Sequence, residues 1–295
     1  MPNTRRDRGC YWTAEGGDRM VQIKFWTRYF FAFLMALLTA LLVLCGVAVA
    51  TVCSEDYMLQ RMEDTDYYDN VAAILQDQYA ALGLPAGIEE SFFASAIDKE
   101  ELYRDIHRAV DNAYSGQAYT ADKAALERAL YQRFEGYADE KGAELTAETE
   151  ESLQYLAKLC IEKYTAQANH TLPRTIGQYA GQTAPYLWGV IAFLSVMILL
   201  CGFMVYRLSD LPHRAIRLWN SSLLGGAVML LVLPGWLYLS KGVEQLGITS
   251  RSLKPLLVAY ANDILTSLLI CGAVIIVTVL TVGIIAVHQV KKRYS

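Results

Sequence analysis

Four long segments without a charged side chain constrain this 295-residue chain more than any other feature of its sequence. They cover residues 29–54, 176–206, 218–240 and 264–287. A helix needs about 20 mainly apolar residues to cross the hydrocarbon core of a bilayer, and each segment reaches that length. The chain is also 54% hydrophobic, which is high for a water-soluble domain. We predict transmembrane helices over residues 29–53, 185–206, 218–240 and 264–288.

The parts of the chain outside these spans differ strongly in charge. Residues 54–183 contain 24 Asp and Glu against 11 Lys and Arg, whereas the remainder contains 6 acidic and 15 basic residues. Lys and Arg accumulate on the cytosolic side of membrane proteins. The mostly disordered tail 1–28, the loop 207–217 and the tail 289–295 are basic and are therefore predicted to be cytosolic. The acidic domain 54–183 and the loop 241–263 are then exterior, in a multi-pass protein of the cell membrane.

Apolar residues recur every three or four positions in the acidic domain, and no stretch alternates as a strand would. The pattern predicts one helix from Leu59 to Leu82, ended by Gly83, and a short helix over 88–96. The fold class is therefore all-α: four transmembrane helices plus an exterior helical domain between the first and second spans.

Capping residues predict where the remaining helices of the acidic domain begin. Asp98, with Glu101 three residues later, has the form of a capping box. Thr120 is expected to open the next helix, and Gly142 to separate it from a last helix that begins near Thr146.

The loop 241–263 is expected to include an interfacial helix over residues 252–260. Asp263 is the only acidic residue that touches a predicted span. It falls at the start of the fourth span, where a carboxylate would stabilise the positive end of the helix dipole.

The first span and the cysteines leave alternatives open. Ala48-Val49-Ala50 fits the small-residue pattern at which signal peptides are cleaved, but the apolar run is longer than the usual 7–15 residues of such peptides. An uncleaved anchor is favoured. Cys53 and Cys160 would share the exterior compartment and could pair, although Cys160 lies on an apolar helix face and is better explained as core.

The search for chemistry yields no catalytic residue, no cofactor-binding residue and no metal ligand. Glu63, Asp64, Asp66 and Asp69 lack the glycine of a calcium-binding loop and are interpreted as a solvated helix face. The four histidines lack metal-binding spacing. We therefore expect a protein without enzymatic activity and without a cofactor. Its basic residues flank spans, which favours contact with lipid over nucleic acid.

The order of one span, a long exterior domain and three further spans resembles the layout of FtsX/MacB-type permeases, which work with a separate ATPase. This resemblance implies that the cytosolic loop would meet the ATPase. The candidate partner contacts there are Arg207, His213, Arg214 and Arg217. The chain also resembles four-pass membrane proteins of Gram-positive bacteria that have a helical exterior domain and no characterised activity.

Two functions remain open from the sequence. The first is a non-enzymatic binding, sensing or scaffold component, whose exterior domain contacts a protein, an envelope component or a small molecule. A signalling partner would then be reached from the cytosolic side. The alternative is a permease-like subunit of an ATPase-driven complex, coupled through residues 207–220. In both, the lipid bilayer is a partner and nucleic acid is not.

Overall fold

The structure is a computed structural model, which describes residues 11–142, 146–209, 212–243, 247 and 250–294. Every regular element in these ranges is a helix, as the periodicity predicted. The helices, in chain order, are α1 Tyr11–Thr51, α2 Glu55–Asp64, α3 Tyr67–Gly83, α4 Glu90–Ala96, α5 Lys99–Tyr114, α6 Lys123–Glu140, α7 Ala147–Ala168, α8 Thr171–Leu208, α9 Pro212–Leu239 and α10 Leu253–Tyr294. One turn of 3-10 helix, Leu84–Ala86, follows α3.

Four of these helices contain a segment long and apolar enough to cross a membrane. The segments are Phe25–Thr51, Leu172–Leu208, Arg214–Leu239 and Leu253–Ile284. Each overlaps one of the four predicted spans, and together they are compatible with a multi-pass membrane protein.

The helices that contain the spans extend further than the sequence predicted. The tail 1–28 was expected to be mostly disordered, but its backbone is helical from Tyr11 onwards. Residues 1–10 lie outside the described part. A formed helix adds residues at little cost, and residues 11–28 contain no proline. Helix α8 begins at Thr171, well before the predicted span start at Pro185, which lies inside it. The expected loop 207–217 is correspondingly short, because α9 already begins at Pro212.

The predicted interfacial helix 252–260 and the fourth span form one helix, α10, from Leu253 onwards. Pro255 lies in its first turn, where the missing backbone N–H is not needed. No glycine or proline follows before Gly272, so nothing in the sequence ends the helix between the two predicted segments.

The chain divides into two compact units. The span unit comprises the described residues of Met1–Val47, Trp188–Gly242 and Ile264–Ser295. The acidic unit comprises Ala48–Leu187 and, from a distant part of the sequence, the described residues of Val243–Asp263. The acidic unit therefore contains the whole acidic domain and the beginning of α10.

Within the span unit, the core includes Val47, Leu230 and Leu268, all buried. Small residues let the backbones approach closely. A Cβ atom on Gly226 would lie 2.8 Å from the Ala36 carbonyl oxygen, so the glycine permits this close approach.

Within the acidic unit, the core is rich in aromatic side chains. Phe93 is fully buried, and its ring lies 6.2 Å from the rings of both Tyr79 and Phe134. Asp105 is a buried carboxylate that accepts a hydrogen bond of 2.9 Å from the Tyr164 hydroxyl. Cys53 and Cys160 are both free.

The helix caps of the acidic unit follow the sequence closely, with two exceptions. Asp98 accepts hydrogen bonds from the backbone N–H groups of Glu100 and Glu101, and Thr146 caps α7 as predicted. The helix expected from Thr120 begins instead at Lys123, because the Asp122 side chain caps it by accepting from Ala125 N–H.

The second exception is the predicted helix from Leu59 to Leu82, which is two helices. It breaks at Asp66, whose φ of 51° is left-handed. The Thr65 hydroxyl donates to the Arg61 carbonyl at 2.7 Å and so satisfies an acceptor at the end of α2.

The close approach of α8 to α5 gives a direct test of this fold. A Cβ atom on Gly181 would overlap the backbone carbonyl oxygen of Tyr114, which cannot rotate away. We expect Gly181→Ala to destabilise the protein by about 1–3 kcal/mol, the usual cost of overpacking. The measurement is the urea midpoint of the purified full chain in detergent, followed by circular dichroism at 222 nm.

Gly189→Ala in the same helix is the matched control, because a Cβ atom there would meet nothing within 4 Å. This variant is expected to retain or raise the midpoint, since alanine favours helix. Equal midpoints for the two variants would contradict the packing described.

Candidate functional site

The acidic unit contains a groove of about 570 Å³, here called the tyrosine groove. Its size falls in the range of about 300–1,000 Å³ that is typical of small-ligand sites. It is formed by the end of α2, the beginning of α3 and the first turns of α5. Its lining residues are Glu63, Asp66, Tyr68, Asp69, Lys99, Glu100, Leu102, Tyr103 and Arg104.

Two local features of the sequence place these side chains. Asp66 adopts the left-handed conformation between α2 and α3, which aspartate tolerates better than most residues do. The Asp98 cap fixes the start of α5, because its carboxylate accepts from Glu100 N–H at 3.0 Å and from Glu101 N–H at 3.1 Å. The residues after the cap then follow on successive helical positions.

The aromatic part of the groove consists of Tyr68 and Tyr103. Their ring centroids lie 4.5 Å apart with the planes tilted by 48°. The Tyr103 side chain is 39% exposed, so it offers a ring surface to a ligand. Burial raises the pKa of the Tyr68 hydroxyl, which therefore stays neutral at physiological pH.

The charges of the groove are mostly unpaired. Lys99 Nζ lies 2.8 Å from Asp69 Oδ1 and neutralises it. Glu63, Asp66 and Glu100 form no ion pair with the described residues, and Arg104 uses its Nε to donate to the Glu100 carbonyl at 3.3 Å. Three free carboxylates against one free guanidinium leave the groove net negative.

The acidic residues considered as a cation site are divided between two roles. Asp64 pairs with Arg61 at 2.9 Å on the exposed side of α2, and Asp69 pairs with Lys99. In the described part of the chain, no group of three or more His, Cys, Asp or Glu is arranged to hold a metal ion. Glu63 and Asp66 remain as groove carboxylates.

A second feature of the acidic unit joins sequence-distant segments through Asp263. The Tyr57 hydroxyl donates to Asp263 Oδ2 at 2.8 Å, and Arg61 Nε lies 2.8 Å from the same oxygen. The N–H at Arg61 Nε is not aimed at this oxygen, so the contact is an ion pair rather than a hydrogen bond. Both charged side chains are 29% exposed, and we call these three residues the Asp263 cluster.

The interpretation of Asp263 as a helix-dipole residue is wrong. Helix α10 begins ten positions earlier, at Leu253, and the dipole effect is confined to the first turn. The carboxylate is instead compensated by a cation and a hydroxyl from α2. Burial and the hydrogen bond to Asp263 both raise the pKa of Tyr57, so this donor keeps its proton at neutral pH.

Two further tyrosines satisfy carbonyl groups at the end of α1. The Tyr260 hydroxyl donates to the Thr51 carbonyl at 2.7 Å, and the Tyr114 hydroxyl donates to the Val52 carbonyl at 2.9 Å. The last carbonyls of a helix lack partners within the helix. Burial raises the pKa of Tyr114 to about 12, which keeps its hydroxyl a donor. The ring of Tyr260 also meets that of Tyr57 edge to face, at 5.4 Å between centroids.

The predicted partner contacts belong to the span unit and are only partly brought together. Arg214 and Arg217 line one cavity, which Arg28 of α1 completes. Arg207 does not line that cavity, and its guanidinium lies 5.9 Å from the ring centroid of Phe203. The side chain of His213 lies outside the description.

The chain matches no protein-family model, no curated protein and no solved structure. The resemblances to FtsX/MacB-type permeases and to four-pass proteins of Gram-positive bacteria therefore stay predictions from topology.

Sequence reasoning missed both the tyrosine groove and the Asp263 cluster. The only signal for the cluster was an acidic residue beside a span, and its partner Tyr57 is 206 positions away. For the groove, Tyr68 and Tyr103 are two of many tyrosines in the acidic domain, and the sequence does not distinguish them from tyrosines of the core. Tyr67 and Tyr79, for example, are buried core.

The Asp263 cluster can be tested by a double-mutant cycle. A hydrogen bond to a charged group contributes about 1.5–3 kcal/mol, so Tyr57→Phe should cost about that much in the free energy of unfolding. The same change should cost clearly less in an Asp263→Asn background, where the acceptor carries no charge. Urea unfolding of the full chain in detergent measures all four proteins.

Tyr155→Phe is the control for losing a tyrosine hydroxyl, because this α7 side chain is 63% exposed. Its effect should lie within about 0.5 kcal/mol of zero. Strictly additive effects of Tyr57→Phe and Asp263→Asn would show that the two residues do not interact.

Proposed function

We propose that the chain is a multi-pass protein of the cell membrane that works by binding rather than catalysis. The acidic unit lies outside the membrane, both termini are cytosolic, and the tyrosine groove is the ligand site. The observation that carries this proposal is the groove itself, in which a pair of tyrosine rings lies beside three unpaired carboxylates.

The chemistry of the groove favours a cationic ligand. Aromatic rings attract cations through their negative faces, and carboxylates add a direct charge interaction. The ligand class is an amine or quaternary ammonium group, carried by a small molecule or by a basic side chain of an exterior protein or peptide. The tyrosine rings would contact its apolar part.

The lining of the groove also supports binding over catalysis. Its nine residues include no serine, cysteine or histidine, so it lacks a nucleophile held beside a base. Burial raises the pKa of Tyr68, so its hydroxyl stays protonated at neutral pH and no phenolate is present to act as a base or nucleophile. What the lining offers is fixed charge and aromatic surface.

The Asp263 cluster supports the proposed topology. With four crossings, the connection after the first span and the connection after the third lie on the same side of the membrane. Arg61 follows the first apolar segment and Asp263 lies in the first part of the fourth, and the two side chains form an ion pair within the acidic unit. This contact is what the four-span arrangement requires.

The ligand class is tested by titrating choline and spermidine, with tert-butanol as the neutral probe. Saturation-transfer NMR on the full chain in detergent should show transfer to both cations and little to tert-butanol. Tyr103→Ala should abolish the transfer. Asp66→Asn should weaken binding about fivefold, since one charge contact is worth about 1 kcal/mol near a surface. Asparagine also tolerates the left-handed conformation, so the fold is retained.

The matched controls are Tyr155→Ala and Glu162→Gln, which change an exposed tyrosine and an exposed acid on α7, outside the groove. Both should bind like the wild type. Equal transfer to tert-butanol, or equal loss in the control variants, would refute the cationic ligand.

The proposed topology is tested by cysteine labelling of intact cells with a membrane-impermeant maleimide. Native Cys160 is unsuitable as a probe, because it is fully buried and burial raises its pKa to about 12. In a Cys53→Ala background, Ser115→Cys should be labelled, since Ser115 is exposed at the end of α5. Arg214→Cys should be labelled only after permeabilisation. The reverse pattern would overturn the proposed orientation.

A further inference from the structure

A second groove, in the span unit, has the opposite charge from the tyrosine groove. It has a volume of about 650 Å³ and is lined by residues of α1 and α9. Its charged residues are Arg28, Arg214 and Arg217. No acidic residue lines it, and none of the three forms an ion pair within the described residues. We call it the arginine groove.

Two aromatic rings contact the Arg28 guanidinium, but its Nε–H has no hydrogen-bond acceptor in the described part of the chain. The guanidinium lies 5.4 Å from the ring centroid of Tyr29 and 5.7 Å from that of Phe25. Its Nε is buried and has no hydrogen-bond acceptor among the described residues. A buried donor without an acceptor costs about 1–3 kcal/mol, more when the group is charged. An acceptor from outside the chain would remove that cost.

The two serine hydroxyl groups that line the groove are not free donors for a ligand. Ser221 Oγ donates to the Arg217 carbonyl at 3.0 Å, and Ser222 Oγ donates to the Leu218 carbonyl at 2.9 Å. Their protons are therefore engaged within α9. The donors that remain for a ligand include the guanidinium groups, which bind phosphate through paired N–H groups.

The groove changes from charged to apolar along the two helices. Positions four residues apart share one helix face. On α1, Arg28 is followed along this face by Ala32 and Ala36, and on α9, Arg217 is followed by Ser221 and Gly225. Small side chains therefore leave room below the arginines.

The lower part of the groove is completed by Phe33 and Met229, which are apolar. A charged opening above an apolar channel matches a phospholipid, which has a phosphate above acyl chains.

The arginines also lie near the beginnings of two apolar segments, where a helix that crosses a bilayer would meet the phospholipid headgroups. Arg28 is close to the start of the apolar segment Phe25–Thr51, and Arg214 begins the segment Arg214–Leu239. Exposed Trp26, at 74%, is typical of a membrane interface. Basic pockets between transmembrane helices at this level bind acidic lipid headgroups.

We propose that the arginine groove binds the phosphate of an acidic phospholipid, with the start of an acyl chain between α1 and α9. This assigns Arg214 and Arg217, considered from the sequence as partner contacts, to a lipid site together with Arg28. It leaves Arg207 outside the site. The inference does not depend on the tyrosine groove or on its ligand.

The test uses the purified full chain, freed of lipid by detergent exchange and titrated with dioctanoyl phosphatidylglycerol. Native mass spectrometry should show one bound lipid at low lipid concentration, and dioctanoyl phosphatidylcholine should bind much more weakly. Arg217→Gln should weaken phosphatidylglycerol binding about fivefold, and Arg28→Gln with Arg217→Gln about 25-fold, since each arginine contributes about 1 kcal/mol.

Arg207→Gln is the matched control, because it removes the same charge from an exposed position outside the groove. It should bind phosphatidylglycerol like the wild type. Unchanged circular dichroism and gel-filtration profiles would establish that the variants are folded.

Four outcomes would overturn the proposal. Equal binding of the two lipids would remove the role of headgroup charge, and equal weakening by Arg207→Gln would show only a general charge effect. Inorganic phosphate binding as tightly, with the same arginine dependence, would identify a phosphate site instead. Capture of a cytosolic ATPase that is lost on Arg214→Glu with Arg217→Glu, with lipid binding unchanged, would favour the permease-like alternative.

Discussion

The carboxylate of Asp263 is the constraint on which much of the acidic unit depends. It lies on a helix that is otherwise almost entirely apolar, in the segment Leu253–Ile284. A charge in such surroundings is costly unless a partner of opposite charge and a hydrogen-bond donor reach it. Arg61 and Tyr57 meet both requirements from α2. The need to compensate one carboxylate therefore joins the beginning of α10 to the beginning of the acidic domain.

The same region shows why tyrosine is frequent in this unit. The end of α1 leaves carbonyl groups that no helical N–H can reach. The hydroxyls of Tyr260 and Tyr114 donate hydrogen bonds to two of these carbonyls. A tyrosine buries a large apolar ring and still delivers one donor at a distance of several ångströms. Tyr164 uses the same property at the buried Asp105. These tyrosines satisfy polar groups that folding removes from water, and they are structural.

What the sequence predicts well are features encoded locally. The cap at Asp98, the left-handed Gly142 and the cap at Thr146 each need only a few neighbouring residues to specify them, and each lies where it was expected. The break at Asp66 was missed because aspartate is a less specific signal for left-handed backbone than glycine. The apolar repeat also continues on both sides of Asp66, so periodicity alone predicts one continuous helix.

Contacts between distant segments were out of reach for a different reason. Periodicity identifies the buried face of a helix but not the helix that covers it. From the sequence, Arg61 on α2 resembles an ordinary surface arginine. Only the structure shows that it forms an ion pair with Asp263 of α10. Arg28 likewise reads as one of several basic residues before a span, and only the packing of α1 against α9 shows that it shares a groove with Arg214 and Arg217.

The pairing of charges separates the structural residues from the candidate binding residues. Asp263 forms an ion pair with Arg61, and Asp69 forms one with Lys99. These interactions stabilise contacts between segments of the fold. The carboxylates of Glu63 and Asp66 and the guanidinium of Arg28 are gathered in concave surfaces with no partner of opposite charge in the described chain. Unpaired charges of this kind would be stabilised by a ligand of opposite charge. For this reason we propose these two grooves, and not the paired charges, as the binding sites.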